Sequence, residues 1–192
     1  TIGSYIYELG NGQWDIAELK KALNVILPKQ KNFEGYEINH EFSHIGRKVM
    51  LLNARRVVFP DKSTQKILLA IEDITEKKAL EDELITMATT DQLTGLYNRH
   101  KFNEVLDDRI RLSERNSQEI ALLSLDLDYF KSVNDSFGHQ IGDELLTVVA
   151  RKICANIRAI DTPARLGGDE FSIIILNPKS LEELKMLAQR II

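Results

Sequence analysis

The chain has a single cysteine, Cys154, in 192 residues, so no disulfide can form within it. Cys154 lies among Val149, Ile153 and Ile157 at helical spacing, which predicts a small buried hydrophobe. No apolar run approaches the roughly 20 residues of a membrane-spanning helix, and the start shows no signal-peptide pattern. The segment therefore reads as cytoplasmic, with no membrane contact of its own. Basic charge is not in excess: the net charge is -4 and the pI is near 5.6. That leaves no broad surface for neutralising a phosphate backbone and argues against a nucleic-acid polymer as partner. Internal repeats and low-complexity tracts are absent too. An initiating methionine is missing and the last residues read as helix, so the chain is expected to be a segment of a longer protein. What remains is 43% hydrophobic and 28% charged, a composition able to bury a core in one domain or two small ones.

Residues 15 to 27 place Ile16, Leu19, Ala22, Leu23 and Ile26 on one helical face, with Asp15 expected as N-cap and Pro28 as stop. Further on, Tyr36, Ile38, His40 and Phe42 alternate with Glu37, Asn39 and Glu41, the period of a half-buried strand. Two more strand-like runs, 48 to 59 and 66 to 73, flank the turn-rich Pro60-Asp61-Lys62-Ser63. A helix packed on an antiparallel meander is the expected arrangement. From Ile74 to Thr90 the composition turns to Glu, Lys, Leu and Ala, with Leu80, Leu84 and Met87 on a helical stripe. This connecting helix reads equally as part of a coiled coil or as an amphipathic helix lying on its own domain.

The second half alternates helical and strand patterns. Residues 96 to 112 are helical in character, and 120 to 127 form a continuous apolar run that resembles a buried strand. A helix is expected over 143 to 157, with Asp143 and Glu144 in its first turn. Residues 162 to 166 and 171 to 176 read as a hairpin about Gly167-Gly168. A last helix is expected from Ser180 to Ile192.

Two acidic clusters stand at strand ends, Asp126 with Asp128 and Asp169 with Glu170. Carboxylates brought together repel, and a hard oxygen-liganded cation such as magnesium would relieve them. Two successive glycines beside the second cluster would let a backbone approach a ligand closely. Lys131 would place a positive charge near such a site, next to backbone amides able to cradle phosphate oxygens. Asn134 and Asp143 offer the donor and acceptor groups that read a purine edge. Each of these taken alone reads as a solvated turn or surface residue. His139 reads as a polar loop residue, since no second histidine or cysteine stands at ligand spacing.

The run Arg165-Leu166-Gly167-Gly168-Asp169-Glu170-Phe171 resembles the motif that names the GGDEF family of diguanylate cyclases. Asp91-Gln92-Leu93-Thr94-Gly95-Leu96-Tyr97-Asn98-Arg99 resembles that family's opening motif. The stretch from Asp126 to Asp135, with Asp128 and Phe130-Lys131, resembles its metal and nucleotide motif. The three stand in the family's order, and the resemblance covers residues 91 to 192.

The resemblance implies an α/β, more strictly α+β, fold, with a sheet flanked by helices as in class III nucleotide cyclases and polymerase palm domains. It implies condensation of two GTP into cyclic di-GMP and two pyrophosphate by a homodimer, with magnesium or manganese. Asp126 and Asp169 correspond to the metal ligands, with Glu170 beside them and the Leu127 carbonyl contributing. Asp126, Asp169, Glu170 and Lys131 are thereby the catalytic candidates. Phe130, Lys131, Asn134, Asp143, Gly167 and Gly168 are the substrate-binding ones. Arg158-Ala159-Ile160-Asp161 matches the family's RxxD motif, and with Arg190 it implies an inhibitory site for cyclic di-GMP. Family members continue past the last helix with further strands and a basic pair. An alternative within the family is an inactive module that binds GTP or cyclic di-GMP as a sensor.

Residues 1 to 76 resemble the later half of a PAS sensory domain, closed by Asp73-Ile74-Thr75-Glu76-Lys77-Lys78. The first PAS strands would then precede Thr1, residues 77 to 90 would be the signalling helix, and 91 to 192 a truncated GGDEF domain. Trp14 and Tyr36 are expected to pack in the PAS core. No cofactor is expected there, and His40 and His44 carry no further mark of haem ligands.

Overall fold

In the computed structural model of the chain, residues 6–8, 12–30, 32–58, 65–116 and 118–192 are described. The chain divides into two units, Thr1–Glu83 and Leu84–Ile192. The division falls inside the expected connecting helix. Among the described residues no helix is long and apolar enough to cross a membrane.

In the first unit, α1 (Ala17–Lys21) runs through a π-helical turn (Ala22–Ile26) into α2 (Leu27–Gln30). Pro28 therefore does not stop the helix. The Leu27 amide reaches back five residues to the Ala22 carbonyl, and this widened turn directly precedes the residue that has no amide hydrogen to give. Asp15 is not the cap either. Ile16 holds that position with no side-chain hydrogen bond, and Asp15 instead pairs with Lys20.

Three strands follow as an antiparallel meander: β1 (Asn32–Phe42), β2 (Gly46–Val58) and β3 (Gln65–Asp73), in that order across the sheet. The turn expected at Pro60 to Ser63 lies outside the described residues, as does Phe59. The β1–β2 register slips between Phe33 and Tyr36, where the Gly35 amide donates to Asn53 Oδ1 at 2.7 Å. That slip reverses side-chain parity, so odd-numbered Phe33 and even-numbered Ile38 and Phe42 are all buried. They pack with Ile16, Leu19, Ala22 and Leu27 from the helical segment and with Met50, Leu52 and Ala54 from β2. Truncating a core residue such as Leu52 to alanine typically costs about 2–5 kcal/mol. Trp14 meets Phe42 edge to face at 5.5 Å and Tyr36 tilts on Phe33 at 5.6 Å, so both join the core. The His40 ring stands edge-on to Phe42, and His44 sits on the exposed turn between β1 and β2.

The run Asp73-Ile74-Thr75 starts α3 (Thr75–Thr89). Asp73 Oδ1 accepts from the Thr75 amide and hydroxyl, Asp73 Oδ2 pairs with Lys48 at 2.9 Å, and Thr75 Oγ1 accepts from the Val49 amide. Ile74 is buried and its amide bonds the Val49 carbonyl. Along α3 no residue is buried, and Leu80, Leu84 and Met87 are 54%, 66% and 52% exposed. The alternative that buries this stripe on its own domain does not hold.

In the second unit α4 (Arg99–Asn116) starts three residues later than expected, because Asn98 Oδ1 caps it by accepting from the Lys101 amide. The sheet is antiparallel in the order β4 (Ile120–Leu125), β6 (Glu170–Leu176), β5 (Thr162–Gly167). The central strand is β6, whose Phe171, Ile173, Ile174 and Ile175 are nearly inaccessible. β4 is an edge strand and only half-buried, with Leu122 52% exposed, although five of its six residues are apolar.

Helices cover both faces of this sheet. Phe171, Ile173 and Ile175 pack with Leu146, Ala150 and Ile153 of α6 (His139–Asn156) and with Leu187 and Ile191 of α7 (Leu181–Ile191). On the other face Ile174 and Ala164 meet Phe102 of α4. α7 is capped by Ser180, whose hydroxyl accepts from the Glu183 amide while Glu183 Oε2 accepts from the Lys179 amide.

Three further expectations fail in this unit. A further helix, α5 (Phe130–Phe137), holds Asn134, which taken alone reads as a turn residue. α6 begins at His139, so His139 is helical and Asp143 and Glu144 stand in the second turn. Cys154 is exposed, because its neighbour Ile153 takes the core-facing position on α6.

Candidate functional site

The hairpin between β5 and β6 is the centre of the site. Its tip is Gly167 (φ 145°) and Gly168 (φ 55°), and pairing slips between Arg165 and Gly167. Side-chain-free residues in these conformations give a tight turn with little intrinsic stiffness. The stiffness comes from two guanidiniums. Arg165 donates from Nε and Nη2 to the Gly168 carbonyl at 2.9 and 2.8 Å, and from Nη1 to both Asp91 carboxylate oxygens at 3.1 and 3.2 Å. Arg99 donates from Nε to the Leu166 carbonyl at 2.8 Å and from Nη2 to Glu170 Oε2 at 3.0 Å.

The opening motif is thus a bracket for the hairpin. Burial pushes the Asp91 carboxyl up, but hydrogen bonds from the Thr94 hydroxyl and amide, together with Arg165, outweigh that and hold it below the usual carboxylate range. The Arg165 amide bonds the Tyr97 carbonyl, and Tyr97 bridges to Ala164. Neither Asp91, Arg99 nor Arg165 stood among the sequence-derived site residues. Their placement inside the recognised motifs was the available signal.

Asp126 follows the last residue of β4. Leu125 pairs with Phe171, which brings Asp126 beside Glu170 on the adjoining strand. Asp126, Glu170, Arg99, Leu166 and Ser124 line one open groove of about 340 Å³. Asp169 is half-buried on the hairpin turn. Among the described residues no three His, Cys, Asp or Glu side chains converge as a ready cage for a metal ion. The donors nevertheless suit magnesium, which usually keeps several waters and binds through one or two carboxylates plus substrate phosphates. The Leu127 carbonyl accepts from the Phe130 amide at 3.2 Å and retains a second lone pair.

Beyond Leu127 the chain turns through Tyr129, 83% exposed in the left-handed region (φ 60°), into α5. That conformation is rare for a bulky residue. Lys131 is exposed on the first turn of α5, while Phe130 directs its ring into the core. Asn134 rests on Gly142 of α6. Asp143, the next residue, lines a second open groove of about 410 Å³ with Leu93 of the opening motif, Thr147 and Arg151. Asn134 and Asp143 are therefore brought to one junction, from two helices.

Arg158 and Asp161 lie apart from both grooves. Asp161 is buried, its side chain 1% exposed, and accepts from the Arg158 amide, Nε and Nη2 and from the Leu176 amide. The hydrogen bonds that Arg158 donates to Asp161 raise the Arg158 pKa. Arg158 Nη2 also donates to the Leu176 carbonyl at 2.9 Å. Arg190 lines the same small cavity, about 60 Å³, room for about two waters and not for a guanine base.

Comparison with known proteins gives the family of the second unit. The sequence model of the diguanylate cyclase GGDEF domain matches residues 88–192. The diguanylate cyclase DgcP of Pseudomonas aeruginosa is 32% identical over 181 residues, which cover 92% of this chain and 25% of that protein. The cyclic di-GMP phosphodiesterase PdeR of Escherichia coli is 38% identical over 194 residues, covering all of this chain and 28% of that protein. The chain spans about a quarter of the length of these relatives. The GGDEF domain of DgcB from Caulobacter crescentus, solved in complex with c-di-GMP, superposes with a TM-score of 0.53 at 36% identity, over 54% of this chain and 60% of that one. With both bracketing arginines, the two glycines and the acidic pair falling inside the matched span, the chain belongs to the diguanylate cyclase GGDEF-domain family.

Proposed function

We propose that this chain is the sensory and nucleotide-binding part of a cytoplasmic, homodimeric diguanylate cyclase. The observation that carries the reading is the convergence of three distant segments on one hairpin: Asp91 and Arg99 from the first, Asp126 from the second, and Gly167 to Glu170 from the third. Such a bracketed, side-chain-free tip beside carboxylates suits a triphosphate lying across it. The resemblance of Thr1 to Glu76 to a PAS domain supports a signal-receiving role for the first unit.

On this reading Asn134 and Asp143 hold the guanine, the carboxylate accepting from its ring and exocyclic N–H groups. Lys131 and the first amides of α5 hold the phosphates. Asp126, Asp169 and the Leu127 carbonyl would hold magnesium or manganese, which neutralises charge developing on the phosphates when bound. The 3′-hydroxyl of one GTP forms a bond to the α-phosphate of the other as the bond to pyrophosphate breaks and the hydroxyl proton leaves. A second such step closes the ring of cyclic di-GMP.

The alternative reading is an inactive member of the same family. On it the domain binds GTP or cyclic di-GMP without turning it over. Incubating the complete protein with GTP and magnesium separates the two. Cyclic di-GMP should form, and Asp126→Asn should lower the rate about 10²- to 10³-fold while the protein stays folded. GTP binding without product would favour the second reading. Near-normal turnover by Asp126→Asn would remove the metal assignment.

A further inference from the structure

Asn98 spends every polar atom it has on the joint between two helices. Its amide donates to the Thr89 carbonyl at 3.0 Å, and its Nδ2 donates to the Ala88 carbonyl at 2.9 Å and the Thr90 carbonyl at 3.5 Å. Its Oδ1 accepts from the Lys101 amide at 3.0 Å, and its carbonyl accepts from the Phe102 amide at 2.9 Å. The last carbonyls of a helix have no partner inside it, and many helices close them with a glycine in the left-handed region just beyond the end. After Thr89 the chain reads Thr90-Asp91-Gln92 and reaches no glycine before Gly95. Asn98 therefore closes the end of α3 from outside while it caps the start of α4.

The joint is tied to the sheet as well. Tyr97 bridges to Thr90 on one side and to Ala164 of β5 on the other, and its carbonyl accepts from the Arg165 amide at 3.0 Å. The preceding Leu96 is buried, and its carbonyl accepts from the Asp91 amide at 2.8 Å. The loop from Thr90 to Asn98 is thus held by main-chain hydrogen bonds at both ends, and it is no free linker. We propose that Asn98 is a positioning residue that locks the last turn of α3 to α4 and β5, so that a rotation of α3 is delivered to the strand carrying the hairpin and is not lost in the loop. The effect on turnover rests on the cyclase reading, whereas the clamp itself does not.

Two variants of the complete protein separate the clamp from the cap. Asn98→Asp keeps an oxygen for the Lys101 amide but has no side-chain N–H to give, and it sets a negative charge against helix-end carbonyls. Asn98→Ser keeps a capping oxygen on a shorter side chain and adds no charge, so the comparison survives a fold disturbed by the aspartate. In both, amide hydrogen exchange at position 98 should run about fivefold to thirtyfold faster than in the parent, the effect of one lost cap, while Lys101 and Phe102 keep their protection. The second arm turns α3 directly. One or two alanines inserted after Glu83 rotate the two parts of the helix by about 100° or 200° against each other, and seven restore the phase to within about 20°. In the parent, the first two insertions should lower the rate of cyclic di-GMP formation by more than about tenfold and the third should recover most of it. In Asn98→Asp the three insertions should differ by less than about threefold.

Equal exchange at position 98 in the parent and both variants would overturn the clamp. A phase dependence as steep in Asn98→Asp as in the parent, or none in the parent, would overturn the coupling. A parent that forms no cyclic di-GMP would instead remove the cyclase reading, and the exchange measurement would still decide whether Asn98 holds α3.

Discussion

A β-carbon at Gly142 would stand 1.9 Å from Asn134 Oδ1 and 3.3 Å from Phe130 Cζ, so α5 and α6 touch where only a hydrogen atom fits. Glycine inside a helix costs about 1 kcal/mol relative to alanine, which makes Gly142→Ala stabilising on propensity alone. Here the added methyl must displace the Asn134 amide, the end of a short side chain that can rotate aside. Thermal stability should therefore change by less than about 1 kcal/mol, while affinity for GTP falls about tenfold as one guanine contact is lost. Nucleotide titration and thermal unfolding of the same variant check this. Unchanged affinity would show that Asn134 does not read the base.

How far such contacts were legible in the sequence depends on their range. The alternation from Tyr36 to Phe42 and the Gly167-Gly168 hairpin are local patterns, and both strands stand as read. The three motifs were legible because their residues are contiguous. The bond from Arg99 to Glu170, 71 positions away, was not, since each residue alone is an ordinary surface charge. Likewise β4 and β6 are both apolar runs, and only the pairing order makes one central and the other an edge. α5 was missed because serine and asparagine depress helix propensity, and its packing against α6 overrides that. Cys154 was misplaced by a single position on α6, the 100° that separates it from buried Ile153.

Acid should weaken the start of α3. The Thr75 hydroxyl hydrogen bond, followed by Lys48 and the Thr75 amide, holds the Asp73 carboxyl down from its ordinary 3.8 to about 2. A depressed folded-state pKa gives stability that is fully present above the unfolded value and is lost as pH falls through the folded one. The window is thus from about pH 4 to about pH 2. Asp73→Asn should melt below the parent at pH 6, and the gap should close across that window. A gap independent of pH would mean that the carboxylate charge contributes nothing.

The exposed stripe of α3 suits a second copy of the same helix. Leu80, Leu84 and Met87 are spaced by four and then three residues, and a parallel pairing of two chains would cover them. The same helix ends on Asn98, the residue before Arg99, through bonds from the Asn98 amide groups to the Thr89 and Ala88 carbonyls. Replacing the three residues by polar ones should lower specific activity most in dilute protein, and should lower the dimer fraction in sedimentation. Activity independent of concentration and of these changes would point to another contact between chains.

The RxxD pair calls for a different choice of variant than its motif suggests. Asp161 is a buried carboxylate that satisfies the Arg158 and Leu176 amides, so Asp161→Ala leaves two donors unpaired and should cost about 1–3 kcal/mol. Loss of product inhibition in that variant could reflect a disturbed β6 end. Arg158→Ala keeps both amides bonded to Asp161 and removes a side chain that is 42% exposed and whose Nη1, outside these bonds, can meet a ligand lying beyond the small cavity. A guanidinium offers two parallel hydrogen bonds to a phosphate or to the Hoogsteen edge of guanine, and Arg190 lines the same place. Arg158→Ala should hence keep the initial rate of cyclic di-GMP formation within about twofold of the parent, since it touches neither groove. Its inhibition by added cyclic di-GMP should vanish, and Arg190→Ala should weaken that inhibition in the same direction. Equal inhibition of parent and Arg158→Ala at the same product concentration would show that this arginine only holds Asp161 in place.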